Sequence, residues 1–263
     1  MQDLNISFIQ STIKWEDRNT NLEHYSSLIN KIDTATDIIL LPEMFPTGFS
    51  MDVSKLAEKM DGVTINWMTK MAFSMKASII GSVIISEGDR FYNRLLLVHP
   101  DGSIQTYDKR HLFRMAHEDQ TYTPSTNYIV VDIKGWKVRP FVCYDLRFPV
   151  WARNKYINGV WEYDLAIFIA NWPASRTIPW QTLPIARAIE NQSYVATLNR
   201  IGKDGKGLDY NGDSQLIDSY GEVITRMENN EQVITRTISK SKLDKHRKDF
   251  PVGLDADHFE LKE

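Results

Sequence analysis

The sequence predicts a mixed α/β fold. Short runs rich in Ile, Val, Leu, Phe and Tyr recur along the whole chain, and several are apolar on both faces, as strands covered on both sides are. Helical spacing fills some of the intervals between them, and Gly-containing turns fill others, so the pattern is not a purely alternating βαβ chain. No low-complexity segment, charge block or Pro/Gly/Ser linker interrupts residues 1–263, which predicts a single domain.

In chain order, a strand is expected from Leu4 to Ile9, then a helix in which Leu22, Tyr25, Ile29 and Ile32 recur at spacings of three or four. A strand from Ile38 to Leu41 and a helix from Val63 to Met75 follow. Strands from Ser78 to Ile85 and from Arg94 to His99 come next; Pro100-Asp101-Gly102 turns the chain into a strand carrying Ile104 and Tyr107. Tyr128 to Ile133 and Val138 to Cys143 are joined at Lys134-Gly135, and Leu165 to Ala170 forms a wholly apolar strand. A helix runs from Thr177-Ile178-Pro179 to Asn191, where Pro184 removes a backbone bond and is expected to delay the start. Strands at Tyr194 to Leu198, Gln215 to Asp218 and Val233 to Ile238 precede a last helix, Lys240 to Asp249. The turn at Ser219-Tyr220-Gly221 echoes the one at Pro100-Asp101-Gly102, a hint of two related sheets.

With 42% hydrophobic and 25% charged residues, the chain can bury a sizeable core. A formal charge of −3 gives no electrostatic footprint for nucleic acid or an anionic membrane, which leaves small molecules or proteins as partners. The N-terminus lacks the basic start and apolar run of a signal peptide, and no stretch is long enough to span a bilayer; a cytoplasmic protein is expected. The single cysteine, Cys143, excludes an internal disulfide and a cysteine-cluster zinc site.

A free cysteine is ordinarily a small buried hydrophobe, and a nucleophilic one needs a base or cation beside it. The chain offers such partners where ligand sites gather in α/β folds, beyond the carboxyl ends of strands. Ile38-Ile39-Leu40-Leu41 runs into Pro42-Glu43, the strand of Tyr107 into Asp108-Lys109, Phe141-Val142 into Cys143, and Ala166 to Ala170 into Asn171-Trp172-Pro173. A carboxylate, an ammonium, a thiol and an amide–aromatic pair are together what a cysteine amidohydrolase requires.

Leu40-Leu41-Pro42-Glu43-Met44-Phe45, Tyr107-Asp108-Lys109-Arg110-His111-Leu112-Phe113 and Cys143-Tyr144-Asp145-Leu146-Arg147-Phe148-Pro149 resemble the three signature segments of the nitrilase superfamily, with its Glu-Lys-Cys triad in order. Within it the chain is most similar to bacterial ω-amidases, which hydrolyse the terminal amide of 2-oxo dicarboxylic acid monoamides. His111 to Ala116, Ala170 to Pro173 and Ala186 to Gln192 add to the likeness.

The resemblance implies a four-layer αββα sandwich, a homodimer, and catalysis without metal or cofactor by Glu43, Lys109 and Cys143. It also implies a second glutamate that orients the lysine or the substrate amide, for which Glu118 fits best and Asp119 competes. Tyr144 supplies its backbone N–H to the oxyanion; Asn171 and Trp172 join Phe45 and Tyr122 as candidate contacts to substrate. Arg176 is the expected partner of the substrate carboxylate, with Arg147 as the alternative. Tyr144 and Asp145 stand where nitrilases proper carry tryptophan and glutamate, which disfavours nitriles, and Val150 replaces a glutamate common in relatives.

Three other readings compete. A metal hydrolase built on His111, His117, Glu118 and Asp119 lacks helix-borne ligand spacing. A carbamoylase or other carbon–nitrogen hydrolase would use the same chemistry on a different acid, and a non-catalytic protein could keep the fold. Gly202 to Gly207 lacks phosphate-loop order and reads as a mobile hairpin or lid.

Overall fold

A computed structural model describes residues 2–257 and 259–261. The first half of the chain forms β1 (Leu4–Gln10), α1 (Arg18–Ile29), β2 (Ile38–Leu40), α2 (Val53–Leu56), α3 (Val63–Met75), β3 (Ser78–Glu87), β4 (Arg90–Val98) and β5 (Ile104–Asp108). The short α4 (Glu118–Thr121) leads to β6 (Val131–Ile133), β7 (Trp136–Val142), a small hairpin of β8 (Tyr156–Ile157) and β9 (Val160–Trp161), and β10 (Leu165–Ala170). Then come α5 (Thr177–Asn191), β11 (Tyr194–Asn199), a second small hairpin of β12 (Ile201–Lys203) and β13 (Asp209–Asn211), β14 (Gln215–Ile217), β15 (Val223–Arg226), β16 (Gln232–Ile238) and α6 (Lys240–Asp249).

Two six-stranded sheets carry the architecture, in the orders β16-β1-β2-β3-β4-β5 and β15-β14-β11-β10-β7-β6. Their plans match. Each has a parallel trio, β1-β2-β3 or β7-β10-β11, extended by an antiparallel pair, β4-β5 or β14-β15, and closed on the other side by one antiparallel strand, β16 or β6. The echo between the two turn sequences thus reflects equivalent hairpins, one in each sheet.

Alternation along the strands sorts the side chains. Phe8, Leu40 and Leu97 of one sheet face Val142, Ile167 and Leu198 of the other in one shared core, while Phe141 stacks on Phe168 at 4.6 Å on the opposite face of the second sheet. Ile9, Ile39 and Ile79 point the opposite way, to Leu22 and Tyr25 of α1 and Ile65 and Met68 of α3. The other sheet is covered through Trp180 and Ala188 of α5 and Leu243 of α6. The layers are therefore α, β, β, α, as expected.

Several elements differ in extent from the sequence reading, three of them with a clear physical reason. The fourth strand begins at Arg90 rather than Arg94, because its polar first turn pairs in full with β3 from Glu87 onward. Tyr128 lies outside β6; its hydroxyl donates to Glu162 and its ring covers the Arg139 guanidinium at 4.0 Å. The fifth helix runs straight through Pro184. Proline cannot supply the N–H that the Trp180 carbonyl would otherwise accept, and the buried Gln215 side chain does so instead, donating from Nε2 at 3.2 Å.

Replacing that donor tests the account. Gln215→Leu is expected to cost about 1–3 kcal/mol in urea unfolding, the usual loss for a buried carbonyl left unpaired. Adding Pro184→Ala restores the helix N–H and should recover more stability in that background than in the wild type; equal effects in both would disprove the compensation.

Candidate active site

Five chain segments converge at one end of the two sheets, beyond the carboxyl ends of β2, β5, β7 and β10 and at the start of α4. Past β2, Glu43 turns inward and the backbone bends at Met44, whose φ of +43° is unusual for a side chain of that size. Lys109 follows β5 directly, Cys143 follows β7, and Asn171 follows β10. Glu118 opens α4. Glu43 and Glu118 are 0% exposed, Lys109 1% and Cys143 9%.

Lys109 Nζ donates to Glu43 Oε1 at 2.9 Å and to both oxygens of Glu118, at 2.9 and 3.0 Å. Asn171 N–H donates to Glu43 Oε2 at 2.8 Å, and the Asn171 side-chain amide donates to the Glu43 backbone carbonyl. The Phe113 N–H donates to Glu118 Oε2 at 2.6 Å. Asp119, the competing assignment, turns outward and pairs with Arg114 at 2.8 Å. The Cys143 thiol lies 3.9 Å from the Asn171 carbonyl, close enough to Glu43 to feel its charge.

Two carboxyl groups and one ammonium make up this buried cluster. Burial alone would favour a neutral Lys109, yet Glu118 and Glu43 outweigh it and hold the ammonium protonated well above its ordinary range. Burial likewise raises Glu118, against the pull of Lys109. The Cys143 thiol is pushed far up, first by burial and then by the Glu43 charge, with Lys109 acting the other way. The resting site therefore holds a thiol, not a thiolate.

Cys143 sits on a sharp elbow with φ of +45°. A non-glycine residue there carries strain of about 1–3 kcal/mol and persists only where its surroundings hold it. Asp145 does the holding: its fully buried carboxylate accepts the Val142 N–H at 3.0 Å, the Tyr107 hydroxyl at 2.7 Å, and both the backbone N–H and Nδ1 of His111 at 3.1 and 2.7 Å. Its place two residues past the cysteine was visible in the sequence, but its role was not, because its partners come from a different sheet.

The thiol opens on a cleft of about 620 Å³. Of the expected substrate contacts, Tyr144, Asn171, Trp172 and Arg176 line it; Phe45 and Tyr122 do not. Phe45 points to the helix side of its sheet, edge-on to Tyr25 at 5.5 Å and 5.6 Å from Trp67. Tyr122 is buried against Met44 and Leu112 with its hydroxyl on the Ser50 carbonyl at 2.6 Å. The aromatic wall is built instead by Phe49, whose ring lies 5.1 Å from Lys109 Nζ, and by Phe113 and Tyr210. Arg147 also lines the cleft, 5.0 Å over Trp172, while Arg176 lies 5.2 Å over Phe113; among the described residues neither pairs with a carboxylate.

The Gly202 to Gly207 stretch belongs to the β12–β13 hairpin, a docked wall in this structure. Asp204 ties its turn by accepting the Lys206 and Leu208 N–H groups at 2.8 and 2.9 Å and the Tyr210 hydroxyl at 3.0 Å. Buried Arg200 donates to the Ile13 and Lys203 carbonyls at the hairpin's base. Gly205 lies flat on Trp15, where a Cβ would fall 2.4 Å from the ring. The arrangement carries Leu208 and Tyr210 into the cleft.

The residues of the rival metal reading do not converge. His111 stacks on Phe148 at 3.7 Å and bonds Asp145, Glu118 faces Lys109, and Asp119 faces Arg114. No helix among the described residues is long and apolar enough to cross a membrane.

Comparison with known proteins agrees with this geometry. The chain is 45% identical over 262 residues to the omega-amidase YafV of Escherichia coli K12, covering 99% of this chain and 100% of that one. It is 29% identical to the 2-oxoglutaramate amidase of Bacillus subtilis, over 94% of this chain and 95% of the relative. The crystal structure of XC1258 from Xanthomonas campestris, a CN-hydrolase superfamily protein with an arsenic adduct in its active site, superposes with a TM-score of 0.97 at 44% identity, covering 100% of both chains. The carbon–nitrogen hydrolase family profile matches residues 5–248, and the chain belongs to that family, the nitrilase superfamily.

Proposed function

We propose that the protein is an ω-amidase that hydrolyses the terminal amide of 2-oxo dicarboxylic acid monoamides, such as 2-oxoglutaramate and 2-oxosuccinamate, to the 2-oxo acid and ammonia. The observation that carries this reading is a protonated thiol beside a buried carboxylate–ammonium–carboxylate cluster, opening on a cleft that holds two guanidinium groups with no carboxylate partner among the described residues. The printed names of the YafV and Bacillus relatives point the same way.

Glu43 acts as general base and takes the Cys143 proton as sulfur attacks the amide carbon. The transfer moves the charge of the cluster without adding to it, which is how a thiol raised by burial can react at neutral pH. Lys109 Nζ and the Tyr144 N–H receive the oxyanion; one preorganised donor of this kind is worth about 3–4 kcal/mol. Protonated Glu43 then gives its proton to the departing ammonia, leaving a thioester. Water deprotonated by Glu43 attacks the thioester, and the thiol regains its proton as the acid leaves. Glu118 is a positioning residue: it holds Lys109 with both oxygens and touches no reacting atom.

At the far end of the substrate, Arg176 is the preferred partner of the 2-oxo acid carboxylate, with Arg147 across the cleft beside Trp172. The reading includes a homodimer and a cytoplasmic enzyme, whose thiol stays reduced there. Ile189 on α5, Tyr220 in the turn before β15 and Phe250 after α6 are exposed apolar groups that a second copy would cover.

Cys143→Ala is expected to abolish ammonia release and Cys143→Ser to leave almost none, while Glu43→Gln should keep the fold and lose about 10²–10⁴ in turnover. Full activity in the alanine variant would sink the mechanism, and unchanged rates in Glu43→Gln would reassign the base. Arg176→Ala is expected to raise KM for 2-oxoglutaramate about 10–100-fold, the worth of a charge-assisted hydrogen bond; an unchanged KM there, with a raised one in Arg147→Ala, transfers the role. In a panel with glutamine, asparagine, N-carbamoyl amino acids and simple nitriles, preference for a nitrile or a carbamoyl compound would overturn the substrate class. Light scattering should give about twice the 30.4 kDa of one chain.

A further inference from the structure

The two carboxylates around Lys109 are held by a second, neutral group. Asn93, 1% exposed in β4, donates from Nδ2 to Glu43 Oε1 at 2.8 Å and to Glu118 Oε1 at 3.2 Å. Its Oδ1 accepts the Ser82 hydroxyl at 2.8 Å, and Ser82 Oγ accepts the Met44 N–H at 2.8 Å. The direction of this chain is fixed by chemistry at both ends. A backbone N–H only donates, so the Ser82 oxygen accepts from Met44 and turns its own hydrogen to Asn93. Ionised carboxylates only accept, so the amide nitrogen faces them. The Asn93 backbone carbonyl also accepts the Lys109 N–H at 3.0 Å, so one residue registers the ammonium and both carboxylates.

The consequence falls on Glu43. Its Oε1 receives Lys109 Nζ at 2.9 Å and Asn93 Nδ2 at 2.8 Å, whereas Oε2 receives one donor, the Asn171 N–H at 2.8 Å. We propose that Asn93, locked by Ser82, is a positioning residue that saturates Glu43 Oε1 and makes Oε2 the oxygen that takes the Cys143 proton. In that step the S–H bond breaks, the O–H bond forms on Oε2, and the electron pair stays on sulfur. This rests on Glu43 being the base. The titratable groups facing Glu43 are Lys109 with Glu118 behind it, Cys143 on the other side, and Tyr122 beyond Glu118.

Cys143 is the sole cysteine in the chain, so alkylation by iodoacetamide reads this one thiol without any assumption about substrate. The rate is measured against pH for wild type, for Asn93→Leu, which removes the donor and keeps the branched shape, and for Ser82→Ala, which frees the amide to turn. Loss of a donor to the ionised carboxylates should move the acid limb up by about one pH unit in Asn93→Leu, which slows alkylation about tenfold below the limb. Ser82→Ala should shift it in the same direction by less, and KM for the amide substrate should change little in both. A folded Asn93→Leu whose limb stays in place overturns the proposal; if that variant does not fold, an unmoved limb in Ser82→Ala overturns it instead. Failure of the amidase reading shows separately, as absent ammonia release with the alkylation profiles intact.

Discussion

The structure is organised around one buried ammonium. Lys109 lies out of water between Glu43 and Glu118, and burying a charge costs several kcal/mol unless its partners are placed to within hydrogen-bond distance. The three groups come from the end of β2, the end of β5 and the start of α4, so no local segment can assemble them. Only a sheet that holds β2 and β5 in fixed register, with β3 and β4 between, brings the charges to one point. Burial first, and then the Glu43 charge, keeps Cys143 a thiol until a proton can move within the cluster.

The two sheets share the work unequally. The first supplies the charged cluster, and the second supplies the strained cysteine elbow after β7 and the Asn171 amide after β10. Asn171 follows the second sheet's counterpart of β2, and it clasps Glu43 from across the interface with its backbone and its side chain. Asp145 performs the complementary tie by gathering Tyr107 and His111 from the first sheet's loops to the Cys143 turn. Each sheet thus anchors the other's reactive residue, and the core of Phe8, Leu40, Val142 and Ile167 keeps the interface from sliding.

Much of this was legible because strand ends are legible. A run of β-branched and aromatic residues that stops at Glu43, Lys109, Cys143 or Asn171 identifies both the element and the edge from which a side chain enters the site. Glu118 was preferred to Asp119 on sequence, but the physical reason was not legible, since neighbouring residues on one turn point in different directions and the packed position of α4 turns Glu118 to Lys109 and Asp119 to Arg114. Phe45 was misplaced for the same reason: the bend at Met44 sends its ring to the helix side and leaves Phe49 at the cleft. Asn93 was passed over because polar neighbours hid the first half of its strand. Gly202 to Gly207 read as mobile, but Arg200 on the Ile13 carbonyl and Gly205 on Trp15 dock the hairpin through contacts that span much of the chain.

By itself the sequence determined the α/β class, the order of its longer elements, and the residue types at four strand ends, because periodicity and apolar runs are local properties of the chain. The tertiary structure alone decided which carboxylate meets Lys109, which oxygen of Glu43 stays open, and which rings wall the cleft. Those outcomes depend on distances of about 3 Å between segments remote in sequence, and such distances exist only once both sheets have packed.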